Sequence, residues 1–188
     1  AYIFIADLHA LTTIQDKKQL ENNVMNVVID YLALGLDPEK AIFFRQSDVA
    51  MHSQLAVILG NYISYGQMQR MHAFKDKLQK GTEVGSINMG LFNYPILMAA
   101  DILRYKPDGV TVGEDQRQHI ELTRDIADNF NRAYDKEVFP LPVPLIAKNT
   151  TAKVVGTDGD RKMSKSLGNI IGIFEDEEVI KKQIMSSY

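Results

Sequence analysis

The sequence predicts an α/β fold, in which a Rossmann-like parallel sheet is flanked by helices and carries an inserted helical subdomain. First, short apolar runs alternate with longer segments of helical periodicity, which is typical of parallel sheets covered by helices. Second, polar turns follow these runs, as ligand-binding loops do at the carboxyl edge of such sheets. Third, an apolar stretch over about residues 50–106 has mainly helical character.

The opening segment has the order strand, helix, strand. Residues 3–5 form an apolar run that leads into the polar turn 7–9. A helix is expected to begin after Asp16 and to end at Gly35, where a left-handed C-cap suits glycine. Residues 41–44 are predicted to form a second buried strand. The apolar residues of the helix recur at helical spacing: Leu20, Val24, Val27, Val28, Tyr31 and Leu34.

The middle of the chain, residues 51–106, is predicted to be mostly helical and broken by the glycine-bearing stretch 81–90. Pro95 is expected in the first turn of a helix that runs to Tyr105, because proline lacks the N–H that a first turn leaves unpaired. The apolar content of this segment predicts a helical insertion with a side that faces a partner.

The order strand, turn, helix returns after this insertion. A strand is predicted over residues 110–112 and a turn over residues 113–116. A helix is predicted from Ile120 to Phe130, where apolar residues recur at helical spacing. Three prolines make the next segment extended: Pro140, Pro142 and Pro144.

Composition limits the classes of function. The 188 residues suit one globular domain, and a net charge of -3 argues against a surface that is basic throughout, so any RNA contact must be local. The chain has no cysteine, which excludes disulfides and thiolate zinc sites and fits a reducing cytoplasm. Its four histidines lie far apart, and we predict no metal site in the protein. No stretch reaches the roughly 20 apolar residues that span a bilayer.

A lysine-rich loop, residues 160–169, is the first candidate for chemistry. Its ammonium and hydroxyl groups lie between glycines and could follow a phosphate chain whose charge shifts during a reaction. For a generic loop of this composition, a solvated basic turn is the alternative.

The helix around residues 94–103 is the second candidate. Tyr94, Met98 and Asp101 fall on one face at the i, i+4, i+7 spacing. A carboxylate among apolar residues requires hydrogen-bond donors. Those donors could belong to a ligand, or Asp101 could pair with Arg104 or with a cation from another helix.

The turn 113–116 is the third candidate, because a strand ends there in polar groups at a helix start. Such a turn suits a small polar ligand. An ordinary N-cap cluster would explain Glu114 and Asp115 equally well.

These phrases together resemble a known family. The pentad Lys162-Met163-Ser164-Lys165-Ser166 matches the signature loop of class I aminoacyl-tRNA synthetases letter for letter. Two consecutive sequence motifs, residues 113–116 and residues 118–125, resemble those of the tryptophanyl-tRNA synthetases and differ from those of their tyrosyl relatives. With residues 6–12 and 74–77, the resemblance covers nearly the whole chain.

The resemblance implies a site residue by residue. Asp101 would accept the indole N–H, and Tyr94 and Gln116 would hold the amino group of tryptophan. The remaining tryptophan-binding residues that it implies are His9, Met98, Val110 and Val112. The residues implied at ATP are Lys162, Ser164 and Lys165, which would also be catalytic, together with Lys75, Lys77, Gly113 and Asp115.

The implied activity is the Mg²⁺- and ATP-dependent activation of L-tryptophan, followed by its transfer to tRNA(Trp) by a homodimer. Indole nitrogen is only a donor, so a buried acceptor such as Asp101 suits it. A site built around that bond could reject phenylalanine by about 10⁴ to 10⁵.

The chain also departs from the family pattern. No histidine is followed by x-Gly-His or x-Gly-Asn, the N-terminal signature that helps to bind ATP. From the resemblance we expect the C-terminal anticodon-binding domain to be missing from residues 1–188. We therefore expect residues 1–188 to be part of a catalytic domain, with a signature loop at 157–169, that binds tryptophan or ATP poorly alone.

Two other hypotheses remain. A non-catalytic paralogue or dimerisation module could keep the fold without activating tryptophan, although the intact lysine loop argues against it. Another nucleotidyltransferase of the superfamily would share that loop but lack the phrases around Asp101 and Gln116. A P-loop nucleotidase is disfavoured, because Gly-x-x-x-x-Gly-Lys-Ser/Thr does not occur.

Overall fold

A computed structural model of the chain describes residues 2–79, 81, 83–146 and 154–187, apart from the side chains of residues 73, 77 and 166. The chain divides into two compact units, Ala1–Ile146 and Ala147–Tyr188. The strands of the first unit are β1 (Tyr2–Ile5), β2 (Ile42–Arg45), β3 (Gly109–Thr111) and β4 (Val143–Leu145). Its helices are α1 (Asp7–Ala10), α2 (Lys17–Ala33), α3 (Met51–Leu59), α4 (Tyr65–Gln69), α5 (His72–Gln79), α6 (Met89–Leu103) and α7 (Arg117–Ala133).

The strands pair in parallel, which confirms the predicted sheet type. β1 pairs with β2, with Ile3 opposite Phe43, and β3 pairs with β4, with Val110 opposite Pro144. Each pair is joined through helices, as parallel neighbours require. Within the described residues the strands form two separate pairs and not one continuous sheet. Pro144 lies in β4, in agreement with an extended segment.

The predicted boundaries of α2 are confirmed by its caps. The carboxylate of Asp16 accepts the amide N–H of Gln19 at 2.7 Å. Gly35 has a φ of +93°, which favours glycine, and the amide of Leu36 returns to the carbonyl of Tyr31 at 2.9 Å. The aromatic ring of Tyr31 lies 5.6 Å from that of Phe43, so the helix packs on β2.

The buried core lies between three helices. α6 packs between α3 and α7, and its Ala99 and Ala100 are fully buried, which allows the neighbouring backbones to approach closely. The larger buried side chains of this core are Leu59, Ile96, Leu103, Leu122, Ile126 and Phe139. Asp101 also lies on the buried face of α6, so the same helix supports both the core and a charged group.

The predicted position of Pro95 is wrong. α6 begins at Met89, with the carboxamide of Asn88 accepting the amide N–H of Leu91 at 2.8 Å. Pro95 therefore lies inside the helix, beyond its first turn. The carbonyl of Leu91 cannot receive an N–H from Pro95, because proline has none. The N-cap at Asn88 determines where the helix begins, and its signal outweighs that of the proline.

Candidate functional site

The candidate site of the first unit is a cavity of about 470 Å³ beside α1 and α6. Polar loops that follow β1 and β3 contribute to its wall, as expected for ligand sites in parallel α/β folds. The lining residues are His9, Thr12, Thr13, Leu91, Tyr94, Met98 and Gln116. Of the residues that the family resemblance assigns to tryptophan, the structure thus brings His9, Tyr94, Met98 and Gln116 together around one cavity.

Asp101 lies behind this wall and is almost completely buried, with 7% of its surface exposed. Nε2 of His9 lies 2.8 Å from its Oδ2 atom, and Nδ1 of His52 lies 2.7 Å from its Oδ1 atom. The carboxamide of Gln46 donates to both oxygens, at 2.8 and 2.9 Å. These donors come from three separate elements, so Asp101 is the point where the loops after β1 and β2 meet α3 and α6.

The alternative pairing of Asp101 with Arg104 is not what the structure contains. The guanidinium of Arg104 lies over the ring of Tyr105, at 5.4 Å from the ring centroid. Its Nη1 atom is buried without a hydrogen-bond partner among the described residues. The groups that contact Asp101 are instead two histidines and an amide.

A second carboxylate joins the loops after β1 and β2. Asp7 accepts the backbone N–H of Ser47 at 3.0 Å and also the hydroxyl of Ser47. Ser47 directly follows Gln46, so this contact fixes the segment that presents Gln46 to Asp101. Residues 7–9, which were predicted as a polar turn, form the start of the helix α1, and Asp7 there is part of the support of the site.

Tyr94 is held at the cavity by His119 of α7. The hydroxyl of Tyr94 lies 2.8 Å from Nε2 of His119. Burial raises the pKa of Tyr94, so its hydroxyl stays protonated at neutral pH. Burial also lowers the pKa of His119, against a smaller opposite effect of Asp115. Nδ1 of His119 is buried without a partner among the described residues.

The turn after β3 does not form the N-cap cluster that was considered for Glu114 and Asp115. Gln116 is the N-cap of α7, and its side chain makes no capping bond. Glu114 forms an ion pair with Arg117 at 2.6 Å, and this arginine holds the pKa of the carboxyl below its usual value. The amide of Gln116 donates to Asp115 at 3.3 Å. Contacts between neighbouring side chains thus stabilise the turn.

Among the described side chains, the remaining predicted residues of this unit are not lining residues of the cavity. Val110 lies in β3 and Val112 directly follows it, and both are half-buried without being among the lining residues. Gly113 and Asp115 are exposed at the turn, and Lys75 is exposed on α5. The side chain of Lys77 lies outside the described residues.

The lysine loop belongs to the second unit and is organised around Asn169, which is 4% exposed. Its carboxamide accepts the amide N–H of Ser164 at 2.8 Å and donates to the carbonyl of Lys162 at 3.2 Å. It also donates to Asp158 at 3.0 Å, and the Asp158 carboxylate in turn pairs with Arg161. Asn169 therefore determines the path of the backbone that carries Lys162, Ser164 and Lys165.

The loop begins as a short antiparallel pairing and ends in a tight turn. Val155 pairs with Lys162, and the amide of Met163 donates to the carbonyl of Val154 at 2.9 Å. A 3-10 turn over Lys165–Leu167 ends at Gly168, whose φ of +66° favours glycine. Lys162 and Lys165 are exposed. α8 (Glu177–Met185) follows in the same unit.

The pKa of Asp158 is lowered by the same contacts. Burial acts to raise it, but hydrogen bonds from the Asn169 amide, from two backbone N–H groups and from the Arg161 guanidinium together outweigh burial. Asp158 consequently remains a carboxylate that accepts from both sides of the loop.

The polar partners of the site were not predicted from the sequence: Gln46, His52, Tyr105 and His119. His52 and Gln46 are completely buried. A buried histidine at the start of a helix gives no local signal, because its partner Asp101 is 49 positions away. For Gln46 the position directly after β2 was a usable signal, since polar residues at strand ends converge in parallel sheets.

A larger cavity, of about 730 Å³, shares Thr12 and Tyr94 with the candidate site. Its wall includes the mainly apolar residues Leu8, Leu11, Ala56, Val57, Ile96 and Leu97. We assign the site to the smaller cavity, because His9 in its wall contacts the buried carboxylate of Asp101 and because Tyr94, Met98 and Gln116 line the same cavity. Among the described residues, no helix is both long and apolar enough to cross a membrane, and no group of three or more acidic or histidine side chains is arranged to hold a metal.

Comparison with known proteins gives consistent matches. A model of the family of class I tRNA synthetases for tryptophan and tyrosine (W and Y) matches residues 1–188. The chain is 49% identical over 185 residues to a tryptophan--tRNA ligase of Fusobacterium nucleatum, covering 98% of the chain and 55% of that protein. It is also 49% identical to the corresponding ligase of Rhodopirellula baltica, covering 98% of the chain and 56% of that protein.

Among solved structures, the chain resembles the tryptophanyl-tRNA synthetase of Campylobacter jejuni complexed with ADP and tryptophan. The TM-score is 0.89 at 45% identity, and the match covers 98% of the chain and 56% of that structure. The chain thus spans slightly more than half the length of these relatives.

Proposed function

The chain belongs to the class I tRNA synthetases of the tryptophan and tyrosine type, and from this premise we propose that it takes part in charging tRNA(Trp) with L-tryptophan. The observation that carries the proposal is the cavity lined by His9, Tyr94, Met98 and Gln116, with the Asp101 carboxylate behind it. The relatives at 49% identity are named tryptophan--tRNA ligases, which favours tryptophan over tyrosine.

In this proposal the cavity binds the amino acid. The indole N–H donates to Asp101, because indole nitrogen cannot accept and needs an acceptor within the protein. His9 and Met98 contact the ring. Val110, in β3, and Val112, directly after it, would pack against the ring from beyond the lining residues of the cavity. The ammonium group binds the hydroxyl of Tyr94 and the carboxamide oxygen of Gln116.

The lysine loop binds ATP in this proposal. The ammonium groups of Lys162 and Lys165, with Ser164 as a further donor, stabilise negative charge on the phosphates. The residues proposed for additional ATP contacts are Lys75, Lys77, Gly113 and Asp115. ATP would arrive as its magnesium complex, with the ion held by the substrate phosphates.

The proposed reaction has two steps. A carboxylate oxygen of tryptophan attacks the α-phosphorus, and the bond from that phosphorus to the bridging oxygen breaks, so pyrophosphate leaves with the electron pair. A terminal ribose hydroxyl of tRNA then attacks the carbonyl carbon of the adenylate, AMP leaves, and the hydroxyl proton is released. No protein nucleophile is required, so catalysis rests on positioning and electrostatic stabilisation.

We also propose that the protein works as a homodimer. Large apolar side chains are exposed along α3 and beyond it, including Val57 at 75% and Tyr65 at 63%. Exposed apolar surface of this kind is typical of interaction sites. Sedimentation velocity on the complete gene product tests this, and a monomer throughout the micromolar range would contradict it.

Tryptophan-dependent exchange of pyrophosphate into ATP tests the function directly. The assay compares the complete gene product with its Asp101→Asn and Lys165→Ala variants, and Lys17→Ala on α2 is the matched control, since Lys17 is also an exposed lysine. Loss of one transition-state donor costs roughly 10²–10³ in rate, so Lys165→Ala should lower kcat by about that factor and leave the Kd for tryptophan unchanged. Asp101→Asn should instead raise the KM for tryptophan.

Three outcomes would contradict parts of the proposal. Unchanged exchange in both site variants would refute the site assignment. Exchange that depends on tyrosine and not on tryptophan would refute the substrate. Tight tryptophan binding without any exchange would identify a non-catalytic relative.

A further inference from the structure

Both oxygens of Asp101 already face hydrogen-bond donors of the protein. Oδ1 lies beside His52 and Oδ2 beside His9, and the amide nitrogen of Gln46 is shared between the two oxygens, all at 2.7–2.9 Å. A carboxylate offers about four lone-pair positions. A ligand N–H can therefore bind Asp101 only if one of the present donors gives way.

Two of the donors are fixed by their surroundings. Gln46 and His52 are completely buried. The ring of His52 lies 5.2 Å from that of Phe4, and its Nε2 atom lies 3.2 Å from the hydroxyl of Tyr105. Because the carboxylate only accepts, Nδ1 of His52 carries the proton, and Nε2 accepts from Tyr105. Both sides of the imidazole are thus engaged.

His9 differs in its exposure and position. It lies in the cavity wall, and 22% of its side chain is exposed. The one hydrogen bond observed for its ring among the described residues is that to Asp101. Replacement of this donor changes no buried contact of α3, whereas replacement of His52 would leave the Tyr105 hydroxyl without its acceptor.

We propose that Gln46 and His52 are positioning residues that hold Asp101 towards the cavity, and that His9 is an exchangeable donor whose bond the ligand N–H replaces. This inference rests on the proposed function, since it takes tryptophan as the ligand. Selectivity at the site then follows from competition between His9 and the ligand for one lone pair of Asp101.

Competition between His9 and the ligand for Asp101 changes how strongly the site rejects an analogue that lacks the indole N–H. If nothing else could reach Asp101, such an analogue would leave the carboxylate one donor short and would be rejected strongly. With His9 in place, the carboxylate keeps its partner and the rejection is weaker. Removing the His9 donor should therefore increase discrimination, while removing the His52 donor should decrease it.

The test uses 3-benzothienylalanine, in which sulfur replaces the indole N–H. Titration calorimetry on the complete gene product gives the ratio of the Kd for this analogue to the Kd for tryptophan. A hydrogen bond to a charged group corresponds to roughly tenfold or more in Kd. We expect His52→Leu to lower the ratio by roughly tenfold, and His52→Asn, whose amide can still donate to Oδ1, to keep it near the wild-type value. His9→Phe should raise the ratio.

A ratio that does not change in His52→Leu, or that does not rise in His9→Phe, would overturn the inference. General damage to the fold would weaken both ligands and leave the ratio unaltered, so the ratio separates positioning from a merely structural role. If His52→Leu does not fold, Tyr105→Phe serves instead, and it should lower the ratio by roughly threefold. Failure of the proposed function is a different result, namely a wild-type protein that does not bind tryptophan or has a ratio of one.

Discussion

At the scale of single residues, the lysine loop shows how one buried amide can determine the position of several cations. Asn169 links the backbone at Ser164 and Lys162 to the Asp158 carboxylate. Its side chain fills the space beside Gly156. A Cβ atom at Gly156 would lie 2.8 Å from the carbonyl oxygen of Asn169 and would also overlap its carboxamide. Glycine is required there because the Asn169 side chain and a Cβ cannot occupy the same space.

Gly156→Ala should therefore displace Asn169 and impair the proposed ATP chemistry. We expect pyrophosphate exchange to fall by roughly tenfold or more, the cost of moving a charge-stabilising group out of place. Tryptophan binding should not change, because the cavity belongs to the other unit. Gly85→Ala is the control, since no atom lies within 4 Å of a Cβ at that glycine. Equal exchange rates in the two variants would show that Asn169 does not determine the conformation of the lysine loop.

At the scale of elements, α6 carries Leu91, Tyr94 and Met98 of the cavity wall as well as Asp101, and its first turn is tied to the loop after α1. Asn88 caps α6 through Leu91, and its amide donates to the carbonyl of Thr12 at 3.0 Å. Thr12 and Leu91 both line the cavity. Asn88 therefore fixes both the start of α6 and the position of Thr12 in the cavity wall. The sequence of the helix does not specify the second contact.

Asn88→Ala should cost about 1 kcal/mol of stability through loss of the cap and should also weaken tryptophan binding. Asp16→Ala removes the N-cap of α2 and should cost a similar amount of stability without affecting tryptophan binding. Comparing it with Asn88→Ala separates the loss of a helix cap from a change in the shape of the cavity. Denaturant unfolding and calorimetric titration measure the two effects. Asn88→Asp keeps the cap but loses the donor to Thr12, and it should weaken binding with little loss of stability. Identical binding in all three variants would contradict the link.

At the scale of the whole molecule, stability and site share the same three helices. The core between α3, α6 and α7 also buries Asp101, His52 and His119, and each buried polar group that lacks a partner costs stability. His119 is the group whose protonation opposes folding most clearly, because burial lowers its pKa and Nδ1 has no partner among the described residues.

This makes stability depend on pH through His119. The pKa of His119 in the folded protein lies below its ordinary value of 6.5, so below that pH the unfolded chain takes up a proton that the folded protein resists. The contribution of neutral His119 is fully present above pH 6.5 and is lost as the pH falls towards the folded pKa. The difference in Tm between wild type and His119→Gln should become smaller as the pH falls. It should shrink by roughly 2–4 °C for each kcal/mol of stability that neutral His119 no longer contributes. A pH-independent difference would contradict this.

The sequence by itself determined the fold class, the ends of α2 and the face of α6 that carries Tyr94, Met98 and Asp101. The lysine pentad by itself also indicated the synthetase superfamily. Each of these depends on spacing or capping within a few turns, and local periodicity encodes such features directly. The start of α6 was missed because Pro95 gave a plausible local signal that the Asn88 cap outweighed.

Only the tertiary structure decided which groups satisfy Asp101. Its donors lie 49, 55 and 92 positions away along the chain. Sequence reasoning offered Arg104 as a partner, since it lies one turn along the same helix, but the guanidinium packs on Tyr105 instead. The physical reason is that a buried carboxylate takes the donors that the packing of α3 and the strand-end loops brings to it, and no local pattern specifies that packing.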